Sequence, residues 1–239
     1  MSAALTGCTA IVTGASRGIG RAVALALSRH GTHVGLVART REGLEGVADE
    51  CRRSGVQALP IVADLSDPAA AREIVEQVVG GLGSLHFLIN NAGVFGGGSA
   101  DDADLRLWDR TIDVNLRALM HLTRHALPEI EHHPRGAIVN IASISGKQSH
   151  AGAADYCAAK HGVIGFSGAV FEDVREKGVK VCAICPGYVN TDMVADDGLV
   201  EEKMIQSEDI AEAVLFVLRF PDTGCPTEIV VRPQRSPYR

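Results

Sequence analysis

Residues 9 to 20 read Thr9-Ala10-Ile11-Val12-Thr13-Gly14-Ala15-Ser16-Arg17-Gly18-Ile19-Gly20, and an alanine- and leucine-rich run from Arg21 to His30 follows. Thr9 to Thr13 have the composition of a short buried strand, and the run beyond Gly20 has the pattern of a helix. The stretch therefore reads as strand, glycine turn and helix. Gly14 takes a tight turn without a Cβ clash, Gly18 lets a backbone approach a pyrophosphate, and Gly20 lets the helix pack close to the sheet. Phosphates at such a turn would face the unpaired N–H groups of the helix N-terminus. The spacing is G-x-x-x-G-x-G rather than the commoner G-x-G-x-x-G, and a glycine turn that binds nothing remains a competing reading. A second strand, His33 to Val37, follows at the distance of a right-handed β-α-β unit and weighs against that alternative.

The end of the second strand bears on the cofactor. A site for NAD carries an Asp or Glu there to accept hydrogen bonds from the ribose, and that carboxylate would repel a 2′-phosphate. Here the residues are Val37-Ala38-Arg39-Thr40, with a cation in place of the acid. Arg17, in the glycine turn, can reach the same phosphate from the other side, and two arginines on one phosphate make charge-assisted contacts. NADP(H) is the expected cofactor. The competing reading leaves both arginines solvated, with Glu42 near enough to pair with either.

Strand and helix then alternate. Helices are expected over about 41–53 and 68–82, the second with Pro68 at its first position and Asp67 as cap, and strands over 57–62 and 85–90. A long helical region spans about 101–130, and a strand follows at 137–142. A helix running to about Lys177 is followed by a strand at 179–185, a helix at about 208–219 capped by Ser207, and a strand at 227–231. This order predicts one α/β domain over residues 1–239: a Rossmann-type, doubly wound parallel sheet of about seven strands with helices on both faces. Asp64-Leu65 and Asn90-Asn91-Ala92-Gly93 fall at strand C-terminal ends, where open α/β sheets bind ligands. Residues 190–206 have little regular pattern and are expected to form a lid.

Bulk properties exclude several classes. The chain has 239 residues, 46% hydrophobic and 22% charged, enough for one large core. A formal charge of −6 disfavours nucleic acid as a partner. The six cysteines are unevenly scattered and read as free thiols of a reducing, cytoplasmic compartment. Met1 to Leu5 show no leader pattern, and no apolar run approaches the ~20 residues of a membrane span. Cys182 and Cys185 match C-x-x-C, but residues three apart on a strand face opposite sides, and no second pair accompanies them. His121 and His125 lie one helical turn apart with no carboxylate between them and Arg124 beside them, so no metal site is assigned. His132-His133 read as a helix end.

Tyr156 and Lys160 lie four residues apart in Asp155-Tyr156-Cys157-Ala158-Ala159-Lys160, so one helix face carries both a phenol and an ammonium. An ammonium held beside a phenol favours the phenolate and lowers a pKa that is otherwise about 10, which makes Tyr156 a candidate acid/base. Alone, such a pair far more often marks a surface contact than a catalytic one. Cys157 points away from Tyr156 and reads as a packing residue.

Taken jointly, Thr13-Gly14-x-x-x-Gly18-x-Gly20, Asn90-Asn91-Ala92-Gly93, Asn115, Ser143, Tyr156-x-x-x-Lys160 and Pro186-Gly187 resemble the compact, single-domain branch of the short-chain dehydrogenase/reductase family over residues 5 to about 231. The resemblance implies a seven-stranded Rossmann fold, NADP(H) as hydride carrier and a homodimer or homotetramer. By motif position it implies that Ser143 binds the substrate oxygen, Tyr156 donates the proton, Lys160 holds the nicotinamide ribose and tunes Tyr156, and Asn115 maintains the site and its relay water. It places the cofactor along the turn residues Gly14, Ser16, Arg17, Gly18, Ile19 and Gly20, then Arg39. Asp64 and Leu65 follow at the adenine, Asn90, Ala92 and Gly93 on the adenosine side, and Pro186, Gly187, Val189 and Thr191 at the carboxamide end.

The expected reaction is NADPH-dependent reduction of ketones or aldehydes to alcohols, reversibly. Relatives acting on 3-oxoacyl groups of an acidic carrier protein present basic residues near the entrance. Here Glu172-Asp173-Val174-Arg175-Glu176-Lys177 has an acidic excess, which favours a small or medium carbonyl substrate. Near its end the chain has Glu228-Ile229-Val230-Val231-Arg232-Pro233-Gln234-Arg235 where the family closes with Val-Asp-Gly-Gly. The alternatives are a 3-oxoacyl-carrier reductase and a catalytically silent NADP-binding sensor. Asn115, Ser143, Tyr156 and Lys160 weigh against the sensor, since a binding module has no use for a proton donor.

Overall fold

Alternation of strands and helices from the glycine turn onward produces a parallel sheet. The computed structural model describes residues 5–194 and 198–238. Residues 1–4, where the leader pattern was sought, and 195–197, inside the expected lid, lie outside the described residues. The strands are β1 (Thr9–Thr13), β2 (His33–Ala38), β3 (Ala58–Val62), β4 (Phe87–Asn90), β5 (Ala137–Ile141), β6 (Lys180–Pro186) and β7 (Glu228–Val231). They lie in the order β3-β2-β1-β4-β5-β6-β7, with every neighbouring pair parallel. The fold is the expected Rossmann type. The chain winds outward from β1 to β3, returns to place β4 beside β1, and winds outward the other way. The crevice therefore opens at the C-terminal ends of β1 and β4.

The helices are α1 (Gly18–Arg29), α2 (Arg41–Arg52), α3 (Ala70–Leu82), α4 (Leu105–Ile112), α5 (Ala118–Ile130), α6 (Ala154–Val174) and α7 (Ser207–Leu218). On one face α1, α2 and α7 close a core containing Val12, Leu27, Leu36, Leu44 and Val214. On the other, α3, α5 and α6 close a core containing Ile11, Ile74, Leu88, Leu122 and Val170. Successive β1 residues thus serve opposite cores, which is why Thr9–Thr13 is buried throughout and does not alternate in polarity.

Local chemistry moved several expected boundaries. Helix α3 starts at Ala70, not Pro68, because Asp67 first closes a turn, its Oδ1 accepting from the Ala69 N–H at 2.9 Å. Ser207 is the first residue of α7 rather than its cap. Gln206 is the cap, in a reciprocal box in which its N–H donates to Asp209 Oδ2 at 2.8 Å. The long helical region begins only after Asp104, whose carboxylate caps α4, and it is interrupted by a π-helical turn at Asp113–Arg117. Cys182 and Cys185 are both buried in β6, where burial raises both thiols, Cys185 to about 11, so neither is a thiolate near neutrality.

His133, read above only as a helix end, stacks on His86 with ring centroids 3.8 Å apart. Nδ1 of His86 accepts from the Thr9 N–H at 3.2 Å, at the sheet edge opposite the crevice. Burial, assisted by the field of His133, lowers the His86 pKa from 6.5 to about 4. Between those values the unfolded chain binds a proton that the folded chain refuses, so stability falls as pH drops from about 6.5 to about 4. Thermal melts across this window should show a declining Tm, with a shallower decline in His86→Gln; an identical slope in the variant would remove His86 from the acid response.

Candidate active site

A cleft of about 710 Å³ opens at the C-terminal edge of the sheet, lined from the glycine turn at one end to Ser143, Tyr156 and Lys160 at the other. The turn is built to leave space. Gly14 and Gly18 have φ of +65° and +53°. A Cβ on Gly20 would lie 2.2 Å from the Gly14 carbonyl oxygen and 2.5 Å from Asn91 Nδ2, so only glycine lets α1 start this close to β4. No side chain caps α1, and its first turn carries no acid. Its N-terminal N–H groups and positive dipole end are thus available to a pyrophosphate. Thr13 and Asn91 fix the turn to the end of β4: Thr13 Oγ1 accepts from the N–H groups of Asn91 and Ala92, both at 2.9 Å, and Asn91 Nδ2 donates to the Thr13 carbonyl at 2.8 Å.

At the catalytic end, Ser143 leaves β5 into a short 3₁₀ turn at Ile144–Gly146. Gly146 sits against the backbone of Lys160, where a Cβ would come 2.6 Å from its carbonyl oxygen, and this contact brings Ser143 onto α6. Ser143 and Tyr156 line the cleft together, and the Ser143 hydroxyl lies near enough to the phenol to favour its phenolate. The edge of Phe95 closes on the Tyr156 ring at 5.2 Å between centroids. Lys160 is buried, donates from Nζ to the Ile141 carbonyl at 2.9 Å, and lies 5.6 Å from the centre of the Tyr156 ring. Burial lowers its pKa to about 8.

The Tyr156 pKa is raised by burial, and the nearby Ser143 hydroxyl only partly opposes this. That corrects the expected depression by Lys160. Here Lys160 directs its donor to Ile141 while staying an ammonium near neutrality, and burial outweighs its field at the phenol.

The family model described as short chain dehydrogenase matches residues 8–201. The chain belongs to the short-chain dehydrogenase/reductase family. It is 34% identical to 3-oxoacyl-(acyl-carrier-protein) reductase FabG of Staphylococcus aureus (strain Mu50) over 224 residues, covering 87% of this chain and 89% of that protein. A short-chain dehydrogenase from Burkholderia cenocepacia J2315, solved in complex with NADP, superposes with a TM-score of 0.90 at 31% identity, covering 97% of this chain and 98% of that one. A blue fluorescent protein from a metagenomic library, solved in complex with NADPH, gives a TM-score of 0.89 at 29% identity, again covering 97% and 98%.

Within this short-chain dehydrogenase/reductase framework, most residues read from the sequence line the cleft. Ser16, Arg39, Leu65, Ala92 and Gly93 do so beside the turn, and Pro186, Gly187, Val189 and Thr191 on the far wall. Asp64 lines it too, with Ser66 holding its carboxylate below the ordinary range through backbone and hydroxyl donors at 3.0 and 2.8 Å.

Other side chains are placed differently. Arg17 lines the cleft as Arg39 does, and it reaches Asp192 at 2.8 Å, a pair with both side chains largely exposed and so worth only about 0–1 kcal/mol. Asn90 is buried and points away from the cleft, donating to Asn140 Oδ1 at 2.9 Å. Asn115 clamps Val94, accepting from its N–H at 2.7 Å and donating to its carbonyl at 2.8 Å, and it sits in the π turn that re-aims it. It therefore shapes the Gly93–Phe95 loop. Arg110 on α4 also lines the cleft and adds its field to Asp64. Nothing in its spacing distinguished it from a solvated helical arginine.

Proposed function

We propose that this enzyme is an NADPH-dependent carbonyl reductase, reversible, with Tyr156 as proton donor. The reading rests chiefly on one observation: Ser143 and Tyr156 together in the cleft, with buried Lys160 one helical turn away. When bound, the nicotinamide supplies the hydride. The protein's part is to bind, orient and protonate. A carbonyl oxygen received between the Ser143 hydroxyl and the Tyr156 phenol gains charge as its carbon is reduced, and both donors stabilise that charge. Tyr156 then delivers its proton to the oxygen. The raised pKa keeps the phenol protonated near neutrality, as a donor requires, and the Lys160 ammonium offsets the phenolate left behind.

The uncapped α1 N-terminus and the space left by Gly14 and Gly20 fit a dinucleotide. Arg39 beside the cleft, with no acid at the end of β2, favours a 2′-phosphate, and the weak Arg17–Asp192 pair leaves Arg17 available to join it. The two solved relatives hold NADP or NADPH.

The preferred substrates are small or medium ketones. The name of the staphylococcal relative favours a second reading, a 3-oxoacyl thioester on a carrier protein. Against it, the cations at the end of α6 are already engaged: Arg175 pairs with Glu172 at 3.1 Å and Lys177 with Glu131 at 2.9 Å. Loss of reduced-nicotinamide absorbance, followed with a panel of ketones and a 3-oxoacyl thioester, tests both. Turnover of simple ketones is expected, and a thioester preference in kcat/KM of about a hundredfold, beyond what lost pocket contacts supply, would overturn the substrate choice. Arg39→Ala should weaken NADPH binding about 10- to 100-fold and leave NADH unchanged, the loss of one charge-assisted contact; an equal effect on both nucleotides would contradict the 2′-phosphate role.

A further inference from the structure

The segment from Pro186 to Ile205 leaves β6, walls the cleft through Gly187, Val189, Asn190 and Thr191, and returns to α7. Its only regular turn among the described residues is a 3₁₀ turn at Glu201–Lys203. A loop of this length needs something to hold it against the cleft, because few backbone groups of its described residues are paired within it. At its base, Val189 and Ile205 bridge, the Ile205 N–H donating to Tyr188 and the Asn190 N–H to Ile205, at 3.0 and 2.8 Å.

Arg17 holds Asp192 at 2.8 Å, and Gln206 Nε2 donates to the Glu201 and Met204 carbonyls, both at 3.0 Å. Further ties come from the C-terminal tail, the part of the chain that departs from the family ending. The Gly187 N–H donates to the Val231 carbonyl at 2.8 Å, and Pro233 packs over Gly187, its Cδ 3.1 Å from where a Cβ would stand. The tail then crosses to the outer side of the loop. The Val200 N–H donates to the Pro237 carbonyl at 2.8 Å, Leu199 and Tyr238 form an antiparallel bridge, and Lys203 Nζ reaches the Tyr238 carbonyl at 3.4 Å. The hydroxyls of Tyr238 and Tyr188 hydrogen-bond each other, and their rings meet edge to face with centroids 5.6 Å apart. Tyr188 lies between cleft residues Gly187 and Val189, so Tyr238 grips both the start of the loop and its outer strand.

We infer that the C-terminal tail is a strap for the cofactor wall and that Tyr238, through Tyr188, is a positioning residue for nucleotide binding. None of the tail contacts beyond Pro233 belongs to the sheet or either core, so they order the loop without being needed for the fold. A loop already in its bound form spares the nucleotide the entropy of ordering it. The strap thus contributes to affinity and leaves the chemical step alone. The inference rests on the nucleotide reading of the cleft given above.

Its test uses NADPH titration of the full chain by nicotinamide fluorescence, together with trypsin cleavage after Lys203 measured without nucleotide. Truncation after Arg235 should raise the NADPH Kd about tenfold, through lost preorganisation, while kcat stays within about twofold. Tyr238→Phe and Tyr188→Phe should each raise Kd about threefold, and the double variant no further, because the two hydroxyls share one bond. Cleavage after Lys203 should quicken in the truncated chain. An unchanged Kd, or additive effects of the two tyrosine variants, would overturn the inference, and Tyr238→Phe decides the matter if the truncated chain does not fold. Failure of the unaltered chain to bind NADPH would instead overturn the cofactor reading, and unchanged Lys203 cleavage would then separately overturn the strap.

Discussion

Replacing Tyr156 by Phe should reduce carbonyl reduction by about 10²–10⁴-fold, the contribution expected of a positioned proton donor, while NADPH binding and Tm stay close to those of the parent. The phenyl ring keeps the edge contact with Phe95 and the packing on α6, so only the hydroxyl beside Ser143 is lost. The polar contact given up is worth at most about 0.5–1.5 kcal/mol in net terms. The loss should therefore appear in kcat and not in nucleotide Kd. Steady-state rates on an activated ketone, paired with fluorescence titration, check this; activity within tenfold of the parent would remove Tyr156 from proton transfer.

Lys160→Met should separate function from stability more sharply. Burial lowers the lysine pKa from 10.5 to about 8, so holding the ammonium in the folded chain costs about 3 kcal/mol at neutral pH, at ~1.4 kcal/mol per pKa unit. Methionine removes that cost and leaves the Ile141 carbonyl without its 2.9 Å donor, a penalty of about 1–3 kcal/mol. The two nearly balance, with the first slightly larger, so Tm at pH 7 should hold or rise. Activity should fall about 10²–10³-fold, since the cation that offsets the phenolate is gone.

The sign of the pH dependence follows from the same shift. In the parent, the unfolded chain keeps the Lys160 proton between about 8 and 10.5 while the folded chain has lost it, so this group makes stability rise with pH through that window. The variant should lack that rise. In the parent, kcat/KM for reduction, which reports the free enzyme, should decline as pH passes about 8 and Lys160 discharges. Thermal melts and rate profiles of both proteins check these points. A large loss of Tm with proportionate loss of activity would make Lys160 structural only.

The sheet was legible because a doubly wound fold writes each strand as an apolar run and each crossover as a helical one, and both cores demand it. Ile11 serves one core and Val12 the other, leaving no solvent-facing position in β1 to obscure the pattern. Helix starts were less legible because competing short-range hydrogen bonds set them: Asp67 closed a turn before α3, and Gln206 displaced Ser207 through Asp209. Within the cleft, residues fixed by backbone geometry were readable, as at Gly14 and Gly20. Roles that depend on side-chain direction were not. Asn90 turned to Asn140, Arg17 to Asp192 and Asn115 to Val94, each drawn by a partner distant in sequence. The phenol pKa eluded the sequence for the same reason: Tyr156 and Lys160 are one turn apart, but which of burial and charge dominates depends on everything packed around them.

The most direct test follows the hydride and the proton donor together. NADPH carrying deuterium at the transferable position of nicotinamide C4 is incubated with the protein and a simple ketone, and the product is examined by mass spectrometry. The expected result is an alcohol bearing the deuterium at its carbinol carbon, formed in step with NADPH consumption by the parent and at least a hundredfold more slowly by Tyr156→Phe, the lower bound for loss of a general acid. Bound NADPH that is never consumed by any carbonyl tried, or labelled alcohol formed equally fast by Tyr156→Phe, would contradict it.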